Sequence, residues 1–140
     1  MTWIIYAILS AFFAALVAIF AKIGVAGINS NLMVAMRTLI VVIFAWAIVL
    51  IEGSAGQMLK ISRFSYLFIF LSAVATGLSW LFYFKALQMG PVSRVAPIDK
   101  ASVILTVILA FVFLGEKPTV GNVVGGLMVT AGVLVTVFVK

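Results

Sequence analysis

Long apolar stretches, separated by short polar or charged segments, make up most of this 140-residue chain. A helix rises about 1.5 Å per residue, so roughly twenty residues are needed to cross a hydrocarbon core of about 30 Å. The uncharged runs cover residues 2–21, 38–51, 64–84, 101–115 and 118–139. The pattern predicts an all-α, polytopic membrane protein of one domain, residues 1–140, with five transmembrane helices over about residues 2–22, 31–51, 64–88, 93–115 and 119–139.

The second and fourth apolar runs are too short to cross a bilayer, because they hold only fourteen and fifteen residues. Each helix must therefore include a turn or two of its charged flank. For the second helix these turns contain Arg37, and for the fourth they contain Arg94 to Lys100. With alternate threading, the following charged residues enter the membrane from the same side: Arg37, Lys85, Arg94, Asp99 and Lys100.

Asp99 is the acid that this count places below the membrane surface. Lysine and arginine near helix ends can extend to the headgroups, but an aspartate side chain is too short to do so. Asp99 must pair with a cation, be protonated or face water. A buried carboxylate in a helical bundle indicates a functional site, and the alternative is a static pair with Lys or Arg that fixes helix register.

Pro97 stands two residues before Asp99 and has no backbone donor for the carbonyl of Ser93. Two interpretations are open. Pro97 either kinks the fourth helix, and so directs backbone amides toward an anionic group, or it belongs to the opening turns, where proline is common.

Hydroxyl side chains follow the same face of the third helix at Ser72, Thr76, Ser79 and Tyr83. On the fourth helix, Ser102 and Thr106 continue from Asp99 at spacings of i+3 and i+7. The two stripes could face each other across a solute path. Hydroxyls in lipid also bond to their own or a neighbouring helix, so packing is the alternative.

Small residues lie nearly in line on the fifth helix at Gly121, Gly125 and Gly132. Small side chains let helix backbones approach closely. We expect this face to pack against another helix, either in the same chain or in a partner.

Composition narrows the possible functions. Hydrophobic residues make up 66% of the chain, and its net charge of +6 comes from bases scattered among apolar spans, so no nucleic-acid surface is expected. The chain has no Cys and no His, and only three acids. Neither a metal site nor a cofactor is expected, and no catalytic residues can be assembled, so the sequence does not indicate an enzyme.

Several segments together resemble the EamA domain of the drug/metabolite transporter superfamily. These are the aromatic-Ala-Leu end of the third helix, the proline-bearing start of the fourth, a Gly-Glu turn and the Gly-rich fifth helix, in residues 82–97, 114–118 and 125–134. The resemblance covers one whole five-helix repeat, as in small bacterial and archaeal members. It implies a protein of the cytoplasmic (inner) membrane of a prokaryote.

Typical EamA proteins are similar in carrying two such repeats in opposite orientations. One repeat therefore implies a dimer, either an antiparallel homodimer or a complex with a sister half-transporter. Three bases on the N-terminal side face six on the other, and discounting Lys85 and Lys100 as site residues leaves three against four. This weak bias predicts a homodimer of dual topology.

The resemblance implies a secondary transporter or exporter of a small metabolite. Asp99 would contact the solute or couple its movement, and the hydroxyl stripes would line the path. Arg37, Lys85, Arg94 and Lys100 would set a field that suits an anionic or zwitterionic, amino-acid-like solute. The alternatives are a lipid-linked sugar translocase subunit, small-multidrug-type efflux and a non-transporting assembly protein. The first helix lacks the acid on which small-multidrug efflux relies.

Overall fold

The computed structural model describes residues 2–139 as α-helices with short connections. The helices are α1 (Thr2–Gly24), α2 (Ser30–Ile51), α3 (Arg63–Met89), α4 (Val92–Asp99), α5 (Ser102–Leu109) and α6 (Val120–Phe138), with a 3-10 helix at Ser54–Lys60 and a π-helical turn at Ala110–Leu114. Within residues 2–139, five helical segments are long and apolar enough to cross a membrane, and the fourth, Val92–Leu114, includes α4, α5 and the π turn. The predicted all-α membrane fold is confirmed.

The helices form because lipid offers no partner to a backbone amide or carbonyl, so each span must satisfy its own groups. Few residues of the spans are buried inside the chain. Their exposed Leu, Ile, Val and Phe side chains suit contact with acyl chains, which are as apolar as these residues.

Packing divides the described residues into two units. Ile19–Met89 form what we term the middle unit, and the described residues before Ile19 and after Met89 form the terminal unit. In the middle unit α2 packs on α3, and in the terminal unit α4 and α5 pack on α6.

The middle unit has a small buried core where α1 ends, α2 begins and α3 ends. Val25, Phe84 and Leu87 are almost completely buried there. Asn29 caps α2, because its Oδ1 accepts the amide hydrogens of Asn31 and Leu32 at 2.9 and 3.4 Å. Ser30 and Val34 of α2 are buried as well.

In the terminal unit, α5 and α6 are in close contact at Gly126. A Cβ atom at this position would lie 2.9 Å from Cδ1 of Ile104, and 3.8 Å from its Cα. Gly126 is buried, so the absence of a side chain is what permits this approach. The π turn ends at Gly115, whose φ of 66° favours glycine.

Candidate functional site

Arg37 lies on α2 with its guanidinium against the aromatic rings of α3. Its Cζ is 4.4 Å from the centroid of the Trp80 ring and 5.4 Å from that of Phe84. These distances are in the range of cation–π attraction, which is strongest with tryptophan. Trp80 and Phe84 are four residues apart, so both project from the same side of α3. The aromatic pair therefore holds the charged group within the span.

The guanidinium of Arg37 is not fully satisfied by the described chain. Its Nη1 is buried and has no hydrogen-bond partner among residues 2–139. A buried charged donor without an acceptor is costly, and aromatic faces compensate the charge but accept no strong hydrogen bond. Arg37 is thus positioned to bind an anion.

Two long-range hydrogen bonds join the ends of the helices that carry this group. Lys22 Nζ donates to the carbonyl of Leu87 at 2.6 Å, and Gln88 Nε2 donates to the carbonyl of Ile28 at 2.9 Å. Both acceptors lie near a helix end or in a connection, where carbonyls lack a helical partner. The bonds hold the end of α3 beside the connection from α1 to α2.

Asp99 pairs with its neighbour Lys100. Lys100 Nζ is 3.2 Å from Asp99 Oδ2, and 38% of the Asp99 side chain is exposed in the chain. Such a pair belongs to one helical turn and therefore joins no second helix. The predicted coupling role of Asp99 stays a prediction.

The fourth span is interrupted at the position of this pair. The amides of Lys100, Ala101 and Val103 donate to carbonyls three residues earlier, at 2.9, 3.0 and 3.0 Å. This tight turn separates α4 from α5. Pro97 lies inside α4, beyond its first turn, so the helix is irregular near Asp99.

Lys85 and Arg94, the remaining predicted cations, are exposed in the isolated chain. Lys85 Nζ is 3.5 Å from Gln88 Oε1 on the same helix. Lys85 belongs to the middle unit, and Arg94 belongs to the terminal unit, on α4. Their predicted contribution to a common field stays a prediction.

Two of the predicted path-lining hydroxyls bond to their own helices. Thr76 donates to the carbonyl of Ser72 at 2.8 Å, and Thr106 donates to that of Ser102 at 2.9 Å. Ser72, Ser79 and Ser102 are exposed, and Tyr83 is half-buried with its ring against Phe84. The threonine oxygens retain acceptor capacity, and a role in lining a path stays a prediction.

The predicted small-residue face of α6 has open space around it in the described chain. A Cβ atom would meet nothing within 4 Å at Gly125 or Gly132, and at Gly121 only the side chain of Thr119 at 3.7 Å. The close approach involves Gly126, the second glycine of a Gly-Gly pair. Packing of the predicted face against a partner stays a prediction.

An open depression of about 580 Å³ lies along the first half of α3. It is lined mostly by apolar side chains and includes Ser72, the first residue of the predicted hydroxyl stripe on α3. The lining residues are Phe64, Ser65, Phe68, Ile69, Ser72 and Ala73. Because all of them belong to α3, the depression is an exposed helix face and not an enclosed binding cavity.

Sequence reasoning identified Arg37 but missed the aromatic pair that holds it. The i, i+4 spacing of Trp80 and Phe84 was the available signal, since two aromatic residues one turn apart form a surface on which a guanidinium can stack. Lys22 and Gln88 were also missed, because their acceptors are backbone carbonyls.

The EamA-like transporter family matches residues 1–138. The chain belongs to this family. A relative from Sinorhizobium sp, described as an uncharacterized transporter in the cobO 3' region, is 44% identical over 133 residues, which cover 95% of this chain and 94% of the relative. No solved structure matches the chain. The EamA resemblance is confirmed, and the chain is an integral membrane protein of a transporter family.

Proposed function

We propose that this EamA protein is a secondary transporter or exporter of a small anionic or zwitterionic metabolite in the inner membrane of a prokaryote. The observation that carries the proposal is the buried Nη1 of Arg37, a charged donor inside a span without a described acceptor. Family membership supports transport, and the excess of cations supports an anionic group on the solute.

The transporter acts as a dimer in this proposal. A five-helix repeat combines with a second one to enclose a path, and alternating access follows from movement of one repeat against the other. The relative from Sinorhizobium supports the proposal, because it is described as an uncharacterized transporter and is similar in length to this chain. The near balance of bases on the two sides supports an antiparallel pair.

Flux across proteoliposomes tests the proposal. Purified protein is reconstituted, and uptake of radiolabelled amino acids and related carboxylic acids is followed against protein-free vesicles. We expect saturable flux of at least one zwitterionic or anionic solute. Absence of flux across the panel, in vesicles where a known transporter reconstituted in parallel is active, contradicts the proposal.

A further inference from the structure

Arg37 differs from the other bases of the middle unit in its surroundings. It lies seven residues after the start of α2, about 10 Å into the span. Trp80 and Phe84 cover one side of its guanidinium, while Nη1 is buried and unpartnered within residues 2–139. Stacked in this way, a guanidinium keeps its N–H donors in its own plane, available to a planar acceptor.

Of the three acids of this chain, two do not match the depth of Arg37, and the third, Asp99, lies seven residues into α4 but is paired with Lys100 at 3.2 Å. Glu52 is the only acid between Ile19 and Met89. It caps the opposite end of α2, fifteen residues from Arg37 and so about 22 Å away along the helix. Glu116 lies in the connection before α6, outside the spans. In a second copy these two carboxylates would be at the membrane surface as well, whereas Arg37 lies about two turns below it.

Headgroup phosphates do not match this depth either, since they lie outside the hydrocarbon core. Apart from Asp99, which is paired with Lys100, an anion that reaches Arg37 must therefore enter the span, as a transported solute does. Carboxylate is the planar anion that a guanidinium binds with two parallel hydrogen bonds. Trp80 lies one turn beyond Thr76 of the hydroxyl stripe, so further polar groups are near the same face of α3.

We infer that Arg37, held by Trp80 and Phe84, is the carboxylate-binding residue for an amino-acid-like solute. This inference rests on the proposed transport function and specifies the solute group that this part of the site recognises. Trp80 is a positioning residue, which orients the guanidinium and leaves its free edge to the solute.

Matched ligands test the inference. Thermal unfolding of the purified protein is measured with each standard L-amino acid and with its carboxamide, which lacks the anionic group. We expect at least one amino acid to raise the Tm and its carboxamide to have no such effect.

Arg37→Gln should weaken that binding by about tenfold or more, because a charge-assisted hydrogen bond is lost. Arg37→Lys should keep part of it, and Trp80→Leu should weaken it while the charge remains.

Arg63→Gln is the matched control, since Arg63 is exposed at the opposite end of α3 and should bind as the wild type does. If Arg37→Gln does not fold, amino-acid binding is compared between the wild type and the variants Arg37→Lys and Trp80→Leu. The inference is overturned if Arg37→Gln keeps the preference for acid over amide, or if no amino acid exceeds its amide in the wild type. It is also overturned if inorganic phosphate stabilises the wild type as well as the best amino acid does.

Two further measurements separate this inference from its premise. Amino-acid flux that is equal in wild-type and Arg37→Gln proteoliposomes leaves the transport proposal intact and overturns the assignment of Arg37. Arg37-dependent amino-acid binding without flux overturns transport but supports the carboxylate site. Dissociation of the dimer in Arg37→Gln without any ligand effect identifies an acid of the partner as the acceptor and overturns the inference.

Discussion

Charged side chains within the spans differ in what compensates their charge. Arg37 stacks on two aromatic rings of a neighbouring helix, whereas Asp99 pairs with the adjacent Lys100. An ion pair between adjacent, partly exposed residues contributes little to stability. It also links no second helix, so this pair does not fix helix register. A role of the Asp99 carboxylate in transport stays a prediction.

Asp99→Asn should abolish transport and leave dimer formation and the Tm nearly unchanged. The amide keeps the size of the side chain but can neither carry a proton nor attract a cation. Proteoliposome flux, size-exclusion chromatography and thermal unfolding provide the readouts.

Lys100→Gln is the control for this prediction, because it breaks the same ion pair and retains the acid. Should both variants lower the Tm equally and keep full flux, Asp99 has no part in the mechanism.

Lys22→Met should lower the free energy of unfolding by about 1.5–3 kcal/mol, the range for a hydrogen bond to a charged group. The variant leaves the carbonyl of Leu87 without the Lys22 ammonium, which lies 2.6 Å away and also complements the C-terminal end of α3. Denaturation in detergent measures the loss. Lys60→Met, at an exposed site of the 3-10 helix, is the control and should be nearly neutral; an equal loss in both would remove the special role of Lys22.

The sequence predicted the charged residues of the site better than their contacts. Arg37 and Asp99 emerged from span length alone, since two apolar runs were too short to cross a bilayer. The contact of Arg37 with Trp80 depends on the rotation of α2 relative to α3. Hydropathy does not specify that rotation, because both spans are apolar over most of their surface.

Apolar length predicted five helices, because a helix satisfies all its backbone groups within one span in lipid. The interruption between α4 and α5 could not be located in this way. Pro97 predicted an irregular helix. The tight turn lies after it, at Lys100 and Ala101, where several amides donate hydrogen bonds to carbonyls three residues earlier. The end of this span is a π turn closed by Gly115, which the predicted Gly-Glu turn only partly anticipated.

The neighbouring glycines Gly125 and Gly126 face different surroundings on α6. Gly126→Leu should destabilise the protein by about 1–3 kcal/mol, because the larger side chain overpacks against Ile104. Gly126→Ala should cost much less, since its Cβ meets chiefly the movable Cδ1 of Ile104. Thermal unfolding compares the two variants. Equal stability of Gly126→Leu and the wild type would contradict the packing at this position.

Gly125→Leu tests the predicted assembly face. Nothing lies within 4 Å of a Cβ atom at this position in the described chain, so the fold of one copy should tolerate the change. If a partner helix packs here, the variant should remain helical by circular dichroism but dissociate to monomers by light scattering. A stable dimer of Gly125→Leu would exclude this face as the interface.

The sequence predicts only a weak bias in the orientation of the whole chain. After Lys85 and Lys100 are discounted, three bases on one side face four on the other. A repeat that inserts with little bias can supply both halves of an antiparallel pair from one sequence. The proposed homodimer therefore requires that the same connection be found on both sides of the membrane.

Cysteine labelling checks this requirement, since the natural chain has no cysteine. Gly56→Cys and Ala26→Cys place single thiols at exposed sites in the connections after and before α2, which alternate threading predicts to lie on opposite sides of the membrane. Each should react with a membrane-impermeant maleimide in about half of the molecules in intact cells, because positive charge only weakly biases orientation.

Adding two lysines beside Gly56 should shift Gly56→Cys toward the cytoplasm and reduce flux, since fewer antiparallel pairs form. Labelling of only one of the two sites in the natural background would establish a single orientation, and the pairing would then have to be parallel or with a sister chain.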